Sequence, residues 1–402
     1  MLRRVLVVAA ALGVAGAGLP AQQSSLPVLV VDGGERPRRQ AWVDLTLPSS
    51  VRGDDLQLRG EDGLVVPVQV GPDRRAWAVL PAVAANTRAS YTFEPALRPT
   101  APPVVTMEDA GAHRRLSRNG QLMLRYVTDP LPLPDGVDER YRRGGYLHPV
   151  QSPAGVVATE DFPPNHVHHH GIWTAWTSTH YDGRTPDFWN MGDGTGRVEF
   201  EGLGDEWSGP LTGGFTARHR YVDLTRDVPT TVLTEHWTVT GYAMDLASQP
   251  AHVFDLVVAQ RTAGPSPLEL PTYRYGGVGV RGRHLWDGPD RTVFRTADGR
   301  GRLDGHGTRA TWAYMGGEVE GRRVGIAVLS HPANAASPQP MRIHPTEPFF
   351  NFAPQQAGPL AIRPGETFVL RYRFVVMDDE PDARAIDDLW QDWATPVQVR
   401  VR

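Results

Sequence analysis

Glycine and proline divide almost the whole chain into short apolar runs, and this punctuation limits the fold more than any other feature. The sequence contains 42 Gly and 36 Pro in 402 residues. The runs between them, such as residues 41–47 and 253–258, have the length of strands joined by turns. In residues 234–239 the two faces differ in polarity, which is typical of a half-buried antiparallel strand. Only residues 382–393 place apolar side chains at helical spacing. We therefore predict an all-β fold with a short C-terminal helix.

A proline-rich stretch at residues 98–103 suggests a division into two domains. The segment before it, residues 27–98, has strand signals at the spacing expected for a small β-sandwich. The segment after it, residues 104–396, contains no comparable break, and its length suits one large antiparallel β-sandwich. We expect the larger segment to fold without the smaller one.

The N-terminus has the features of an export signal. Arg3 and Arg4 precede an apolar stretch over residues 5–18, and small residues follow it. This order predicts a cleaved signal peptide over residues 1–21 and a mature protein in the periplasm or outside the cell. No later segment approaches the roughly 20 apolar residues that a membrane-spanning helix needs, so we expect no membrane span after signal removal.

Composition narrows the chemistry. The chain has no cysteine, which excludes disulfides, thiolate ligands and a cysteine nucleophile. It also has no lysine, which excludes Schiff-base chemistry. The net charge is −4 with both signs scattered, and no basic stripe suggests nucleic acid. The predicted partner is a small molecule or a glycan.

Four histidines within five residues are the strongest functional signal: His166, His168, His169 and His170. The preceding Pro163 and Pro164 favour an extended approach and exclude a helix. If a strand begins at His168, then His168, His170, Ile172, Thr174 and Trp176 share one face and His169 and Trp173 take the other. Imidazole suits acid–base chemistry and is also the commonest metal ligand. The non-functional alternative is that these histidines are polar loop residues whose rings are hydrogen-bonded to backbone carbonyls.

Further residues are candidates for the same site. Asp161 and Asp187 are the nearest carboxylates, and Trp173 and Trp189 are candidate platforms for a sugar ring, although most tryptophans of a β core only pack. Two more candidates, His331 and Asn334, follow a predicted strand, where loops carry function. Because a β-sandwich brings distant strand ends onto one face, we expect His331 to join the histidine cluster.

Several motifs resemble the bacterial PmoA-like family, also labelled "methane oxygenase PmoA". They are YLHPV at 146–150, DFPPNHVHHHGIW at 161–173, DFWN at 187–190, YGGVGVR at 275–281 and GIAVLSHPAN at 325–334. The resemblance spans roughly residues 115–395. It matches at these positions: His148, Asp161, His166, His168, His169, Trp173, Asp187, Trp189, His331 and Asn334. His170 departs from the family pattern, which usually has arginine there.

This resemblance implies a large β-sandwich of the galactose-mutarotase-like supersandwich type and a carbohydrate-active protein of epimerase, lyase or hydrolase type. In such a scheme His168 or His169 is the acid–base group, His166 orients it, and Asp161 or Asp187 is the carboxylate. Trp173 or Trp189 supports the sugar, and His148, His331 and Asn334 contribute to substrate binding.

Two other functions remain open at this point. The first is a non-catalytic glycan-binding module, which needs the aromatic residues but no proton transfer. The second is a metal-dependent oxygenase or hydrolase that uses the histidines as ligands. We expect no cofactor, and a divalent metal at the histidine cluster is the alternative.

Overall fold

A computed structural model describes residues 26–98, 101–130, 132–247 and 249–402. The predicted signal peptide lies outside these ranges. Within them, none of the helices is long and apolar enough to span a membrane. The prediction of an all-β fold with a short C-terminal helix is confirmed, and the described strands fall into one small sheet of seven strands, two large sheets of eight and one two-stranded pair.

Seven strands form the small N-terminal sheet, in the order β2-β5-β4-β3-β6-β1-β25. Its apolar side chains build a core of their own, separate from that of the larger sheets. The last strand comes from the C-terminus of the chain and pairs with the first. The bounds are β1 Val28–Asp32, β2 Ala41–Thr46, β3 Leu56–Gly60, β4 Val65–Val70, β5 Arg75–Leu80, β6 Arg88–Pro95 and β25 Gln398–Val401.

The first large sheet, here named the site sheet, has the order β21-β22-β17-β11-β10-β9-β8-β7. All its strand pairs are antiparallel. Its strands are β7 Val105–Asp109, β8 His113–Arg118, β9 Gln121–Val127, β10 Tyr146–Val150, β11 Ile172–Ala175, β17 Gly277–Arg281, β21 Met341–Ile343 and β22 Phe349–Phe352.

The second large sheet, here named the opposing sheet, has the order β12-β13-β14-β15-β24-β20-β19-β18. Its strands are longer: β12 Gly196–Trp207, β13 Thr212–Asp223, β14 Thr230–Tyr242, β15 Ala251–Thr262, β18 Val293–Thr296, β19 Trp312–Val319, β20 Arg322–Ser330 and β24 Phe368–Asp378. Two short strands, β16 Leu268–Leu270 and β23 Leu360–Ile362, form a further pair, and a single helical turn, α1, covers Arg302–Gly305.

Alternation along each strand decides which side chains enter the core between the two large sheets. In β20, Val324, Ile326 and Val328 belong to that core. Ala327 and Leu329 point the other way and pack with helix α2, Ala383–Ala394. The helix begins after Asp382, whose carboxylate accepts hydrogen bonds from the first-turn amides of Arg384 and Ala385. The opposing sheet is thus covered on both faces.

The small sheet is docked against the opposing sheet and α2. Trp77 stacks on Trp207 with ring centroids 6.0 Å apart. The Gln69 amide bonds the backbone of Thr212 on β13, with its Nε2 donating to the carbonyl over 2.8 Å and its Oε1 accepting from the amide over 2.9 Å. Arg38 donates to Asp392 of the helix over 2.5 Å. These contacts hold the small sheet against the opposing sheet, and the β1–β25 pairing joins the first and last strands that the structure describes.

Because the large sheets have their own core, we expect residues 104–396 to fold when expressed without the rest. The reason for ending at 396 is that β25 has its partner, β1, in the small sheet. The far-ultraviolet circular dichroism of this fragment should retain a β spectrum with a cooperative thermal transition. An insoluble fragment beside a soluble full chain would mean that the contacts of Trp207 and α2 with the small sheet are obligatory.

A buried polar network joins the two large sheets beneath β11. At its centre the Glu235 side chain, on β14, is fully buried. Its two oxygens accept hydrogen bonds from Thr174 Oγ1 at 2.7 Å, His219 Nδ1 at 2.9 Å, Trp237 Nε1 at 2.8 Å, Tyr221 OH at 3.0 Å and Gln260 Nε2 at 2.6 Å. Burial would raise the pKa of Glu235, but these donors, His219 foremost, hold it below its usual value. The network therefore keeps a charged carboxylate inside the sandwich.

Candidate functional site

The outer face of the site sheet, on the side away from the opposing sheet, carries the candidate site. Thr174 reaches Glu235 of the opposing sheet, so its neighbour Trp173 points outward. Register then aligns Trp173 with Gly279 on β17, Gly279 with Asn351 on β22, and Asn351 with Arg342 on β21. These residues form one row across four strands of the outer face.

A second row lies beside the first and runs from β17 through β22 to the end of β21. Arg281 pairs with Phe349, whose carbonyl accepts a hydrogen bond from the His344 amide over 3.1 Å. Gly279, between the rows, is required by close packing, because a Cβ there would come within 2.7 Å of the Trp189 ring and 2.9 Å of the Trp173 ring. The loop from residue 160 to 171 and the turn holding Trp189 pack on this face.

The histidines lie in turns and not on a strand. The His166 amide donates to the carbonyl of Pro163, and the His169 amide donates to the carbonyl of His166. The strand begins only at Ile172. The expectation that His168 and His170 share a strand face is therefore wrong, because the two consecutive turns after Pro163 break the alternation. The placement of Ile172 and Thr174 opposite Trp173 is correct.

Three of the imidazole rings contact each other. The ring centroids of His166 and His169 are 4.7 Å apart and nearly parallel, and His168 meets His169 edge-on at 4.7 Å. Burial, and then the neighbouring rings, lower the pKa of His168 to about 4 and that of His169 well below its usual value. At neutral pH both rings are therefore uncharged, and each offers one donor and one acceptor.

His170 belongs to a separate buried triad. Its Nδ1 lies 2.7 Å from Asp161 Oδ1, and Tyr146 OH donates to Asp161 Oδ2 over 2.7 Å. The Tyr146 and His170 rings stack with centroids 4.4 Å apart. His170 Nε2 is buried and has no hydrogen-bond partner among the described residues. Both oxygens of Asp161, a predicted catalytic carboxylate, are thus occupied within this triad.

Glu347 is the carboxylate beside the more accessible histidines. Its Oε2 lies 3.0 Å from Nδ1 of His166, whose side chain is 33% exposed. The pair is within ion-pair distance, but the His166 ring is turned out of hydrogen-bond geometry. Arg281 Nη1 donates to the same Glu347 oxygen over 2.8 Å. Burial alone would raise the pKa of Glu347, but His166, His344 and Arg281 hold it at about 2.

Arg281 links three segments of the site. Its guanidinium is fully buried and bonds Glu347, Asp287 Oδ1 at 2.9 Å and Asn165 Oδ1 at 3.2 Å. Asn165 directly precedes His166, so the position of the histidine turn depends on this buried cation. Charge-assisted bonds of this kind hold loops more firmly than neutral ones.

Asp187 is a turn residue and not a free carboxylate. Its Oδ1 accepts from the amides of Trp189 and Asn190, and its Oδ2 accepts from Thr177 Oγ1 and from the Asn190 side chain. The prediction that Asp187 serves as the reacting carboxylate is therefore corrected. Both of its oxygens accept hydrogen bonds that hold the turn carrying Trp189 in place.

The two tryptophans support the histidines from below. Trp173 is 0% exposed and Trp189 is 2% exposed. Their centroids are 4.9 Å apart, and His169 lies against Trp173 at 5.0 Å and against Phe349 at 4.9 Å. Neither tryptophan has a face open to a ligand. Their predicted role as a sugar platform is therefore corrected: the two rings are buried and pack beneath the histidines. Trp173 Nε1 is buried without a hydrogen-bond partner in the described part of the chain.

His148 lies on β10, next to this site. Its Nδ1 is 3.0 Å from Thr159 Oγ1. Burial lowers its pKa, against the opposing effect of Asp161 and then Glu160. His148 is therefore near the cluster, as expected, but its Nδ1 is engaged by the loop that carries the histidines.

His331 and Asn334 lie elsewhere, contrary to expectation. They follow β20, on which odd-numbered residues face helix α2. The His331 ring meets the Trp393 ring of α2 edge-on at 4.9 Å. Asn334 Nδ2 donates to the carbonyl of Arg371, and its Oδ1 accepts from the amide of the same residue. The strand end is thus on the far side of the sandwich from the histidine cluster, and Asn334 fixes a turn.

Three residues important to the site, Tyr146, Arg281 and Glu347, were not predicted, and neither was Arg342 beside it. Tyr146 and Arg281 stand inside the motifs YLHPV and YGGVGVR, so the motifs contained a signal for them. Glu347 and Arg342 follow no motif. Only the pairing of β22 with β17 and β21 brings them beside the histidines.

In the ranges that the structure describes, no group of three or more histidines and carboxylates has the arrangement of a metal site. A cavity of about 530 Å³ lies at the edge of the opposing sheet, and Leu285, Trp286, Tyr314 and Arg323 are among the residues that line it. No histidine lines this cavity. We take the outer face as the candidate site because it collects neutral imidazoles, a carboxylate and unpartnered ring nitrogens.

Among solved structures, one similar chain is an alpha-mannosidase from Enterococcus faecalis V583. The identity is 8%, the TM-score is 0.39, and the match covers 94% of this chain and 46% of the other. This chain thus spans less than half the length of that structure. No curated protein sequence matches.

A family model described as "Family of unknown function (DUF6807)" matches residues 114–391. The matched region begins on β8 and ends within α2, so it includes every residue of the outer-face site and leaves out the small N-terminal sheet. The name is not that of the PmoA-like family, and the motif resemblance stays a resemblance. Since the match covers more than half of the sequence, the chain belongs to the DUF6807 family.

Proposed function

We propose that this chain binds a sugar over the histidine cluster and that His166 exchanges protons with it. The observation that carries the proposal is the contact of His166 Nδ1 with Glu347, a carboxylate held in turn by the buried Arg281. A carboxylate, a histidine and a free second ring nitrogen, in that order, form the usual arrangement for general acid–base catalysis.

Glu347 determines which nitrogen of His166 faces the ligand. A proton on Nδ1 is attracted by the carboxylate, so Nε2 is left to accept a proton from a hydroxyl group and to return it. The 3.0 Å contact needs only a rotation of the ring to become a hydrogen bond, and such contacts commonly tighten when substrate binds. In this scheme Glu347 takes the role expected of Asp161 or Asp187.

His168 supplies recognition in this scheme. Its pKa of about 4 keeps it neutral at physiological pH, so it can donate one hydrogen bond and accept another. A sugar hydroxyl likewise donates and accepts. The unpartnered nitrogens of His169 and Trp173 are buried beneath these two rings, so the direct contacts with the sugar come from His166 and His168.

Variants of the two partly exposed histidines test the proposal. We expect His166→Ala and His168→Ala each to weaken sugar binding at least about tenfold, because each removes a hydrogen bond in a partly desolvated site. Their melting temperatures should stay near that of the parent. Calorimetry against a panel of monosaccharides and oligosaccharides measures the binding. His236→Ala, at an exposed position on β14, is the matched control and should change neither property.

His169→Ala is a less clean test because that ring is 5% exposed and packs between Trp173 and Phe349. If both exposed-histidine variants bind as the parent does, the sugar site is not here. Binding without turnover at any pH would favour the glycan-binding module. Stoichiometric metal in the purified protein, lost together with binding in chelator, would favour the metal-dependent alternative.

A further inference from the structure

The cations at the edge of the histidine cluster are not all neutralised. Within the described ranges, Arg281 is paired with Glu347 and Asp287, but Arg342 and Arg274 have no carboxylate partner. Most other arginines near the site, such as Arg283 beside Glu160, do have one. A half-buried guanidinium without a counter-charge is costly unless a ligand supplies it.

Arg342 projects from the outer face in the same row as Trp173. Its polar side-chain contact in the described part of the chain is a long approach of Nη1 to His306 Nε2, at 3.5 Å. Burial, and then the charge of Arg274, lower the pKa of Arg342. Tyr275 and Glu347 act on Arg342 in the opposite direction, but Glu347 is already paired with Arg281. Two like charges are thus held near each other without an acid of their own, and an anion between them would relieve the repulsion.

Arg274 is placed by two tyrosines. Its guanidinium lies 5.4 Å from the centre of the Tyr275 ring and 5.9 Å from that of Tyr273. The Tyr275 ring contacts Trp189, which in turn lies against His169. A chain of ring contacts through Tyr275 and Trp189 therefore connects Arg274 to the histidine cluster.

The acids of the site do not cancel this charge. Glu347 accepts from Arg281 and adjoins His166. Asp161 is used by His170 and Tyr146. The row from Trp173 to Arg342 crosses four strands, and its ends are three strand spacings apart, roughly 14 Å. A ligand that reaches along this row from above Trp173 to Arg342 is therefore longer than one sugar ring.

We propose that Arg342 and Arg274 form an anion subsite, and that the ligand is an oligosaccharide carrying a carboxylate or sulfate group next to the ring bound by His166. This inference rests on the proposed sugar site. Guanidinium groups match both oxyanions because their paired donors meet two oxygens of one group.

The test uses the full chain and matched trisaccharides. Acidic trisaccharides of galacturonate, glucuronate and mannuronate, their neutral counterparts, and a sulfated galactose trisaccharide are titrated by calorimetry at low and high salt. We expect at least one acidic ligand to bind ten times more tightly than its neutral counterpart, with the difference reduced by salt. The uronate and sulfate arms distinguish the two sources of charge.

Arg342→Gln and Arg274→Gln should each remove this preference and leave neutral binding unchanged. Arg274 is exposed, so its variant does not endanger folding. Arg295→Gln, at an exposed arginine on β18 of the opposing sheet, is the control and should keep the preference. Equal binding of acidic and neutral ligands, or a preference that survives both variants, overturns the anion subsite while the sugar site stands. If no sugar binds, both proposals fall.

Discussion

Acidification from pH 7 to pH 4 is expected to lower the free energy of unfolding by about 3 kcal/mol through His168 alone. Its pKa is about 4 in the folded protein against 6.5 for an unperturbed ring. Between these values the unfolded chain binds a proton that the folded chain does not. The contribution is therefore fully present above pH 6.5 and is lost as the pH falls towards 4.

Other groups extend the effect in the same direction. The pKa of buried His169 is also lowered, first by burial, so the folded state resists its protonation. Glu347, with a pKa of about 2 against 4.5 when unperturbed, adds a second loss below pH 4.5. Its stabilisation is present above 4.5 and disappears as the pH falls to about 2.

Urea unfolding at pH 7.5, 6, 5 and 4 measures the first window. His168→Asn should reduce the loss of stability between pH 7 and pH 4 by about 3 kcal/mol, whereas His236→Asn, at an exposed ring, should leave the profile as in the parent. A free energy of unfolding that is constant from pH 7 to 4 would contradict the buried, neutral state of the cluster.

Replacing Glu235 by alanine is expected to cost about 3–5 kcal/mol of stability, because it removes the acceptor that buried donors share. His219, Trp237 and Tyr221 are all fully buried, so none can turn to water instead. Glu235→Gln should cost less, since it keeps the volume and one acceptor oxygen.

The same urea titration compares Glu235→Ala with His236→Ala, the adjacent exposed position on β14. The control should change stability by no more than about 0.5 kcal/mol. Near-equal stability of the two variants would mean that the network beneath Thr174 contributes nothing to the sandwich. Loss of sugar binding in Glu235→Gln at retained stability would instead indicate that the network positions Trp173.

The absence of a helix just before the histidines could be predicted, because its cause is local, but the two turns that carry them could not. Pro163 and Pro164 exclude a helix whatever surrounds them. The burial of Trp173 and Trp189 could not be predicted in the same way. A tryptophan beside polar residues is as consistent with an exposed ring that stacks on a sugar as with a buried ring that packs in the core. The clustering of Trp173 with Phe349, 6.1 Å away, depends on strands far apart in sequence.

The face of the sandwich on which His331 lies could not be predicted either. Strand β20 is apolar on both faces from residue 324 to 329, but the sequence does not say which face is covered by α2 and the small sheet. Likewise, Glu347 follows no motif and lies 181 positions after His166 in the chain, and it reaches that ring only because β22 pairs with β17.

The sequence by itself determined the all-β class, the terminal helix and the absence of a helix just before the histidines, since strand alternation, helical spacing and proline geometry act over a few residues. Only the tertiary structure decided which carboxylate meets His166, which tryptophans are covered and which arginines lack a partner. Those properties depend on sheet register and burial, which join residues more than a hundred positions apart, and on the electrostatic cost of desolvation, which no local pattern records.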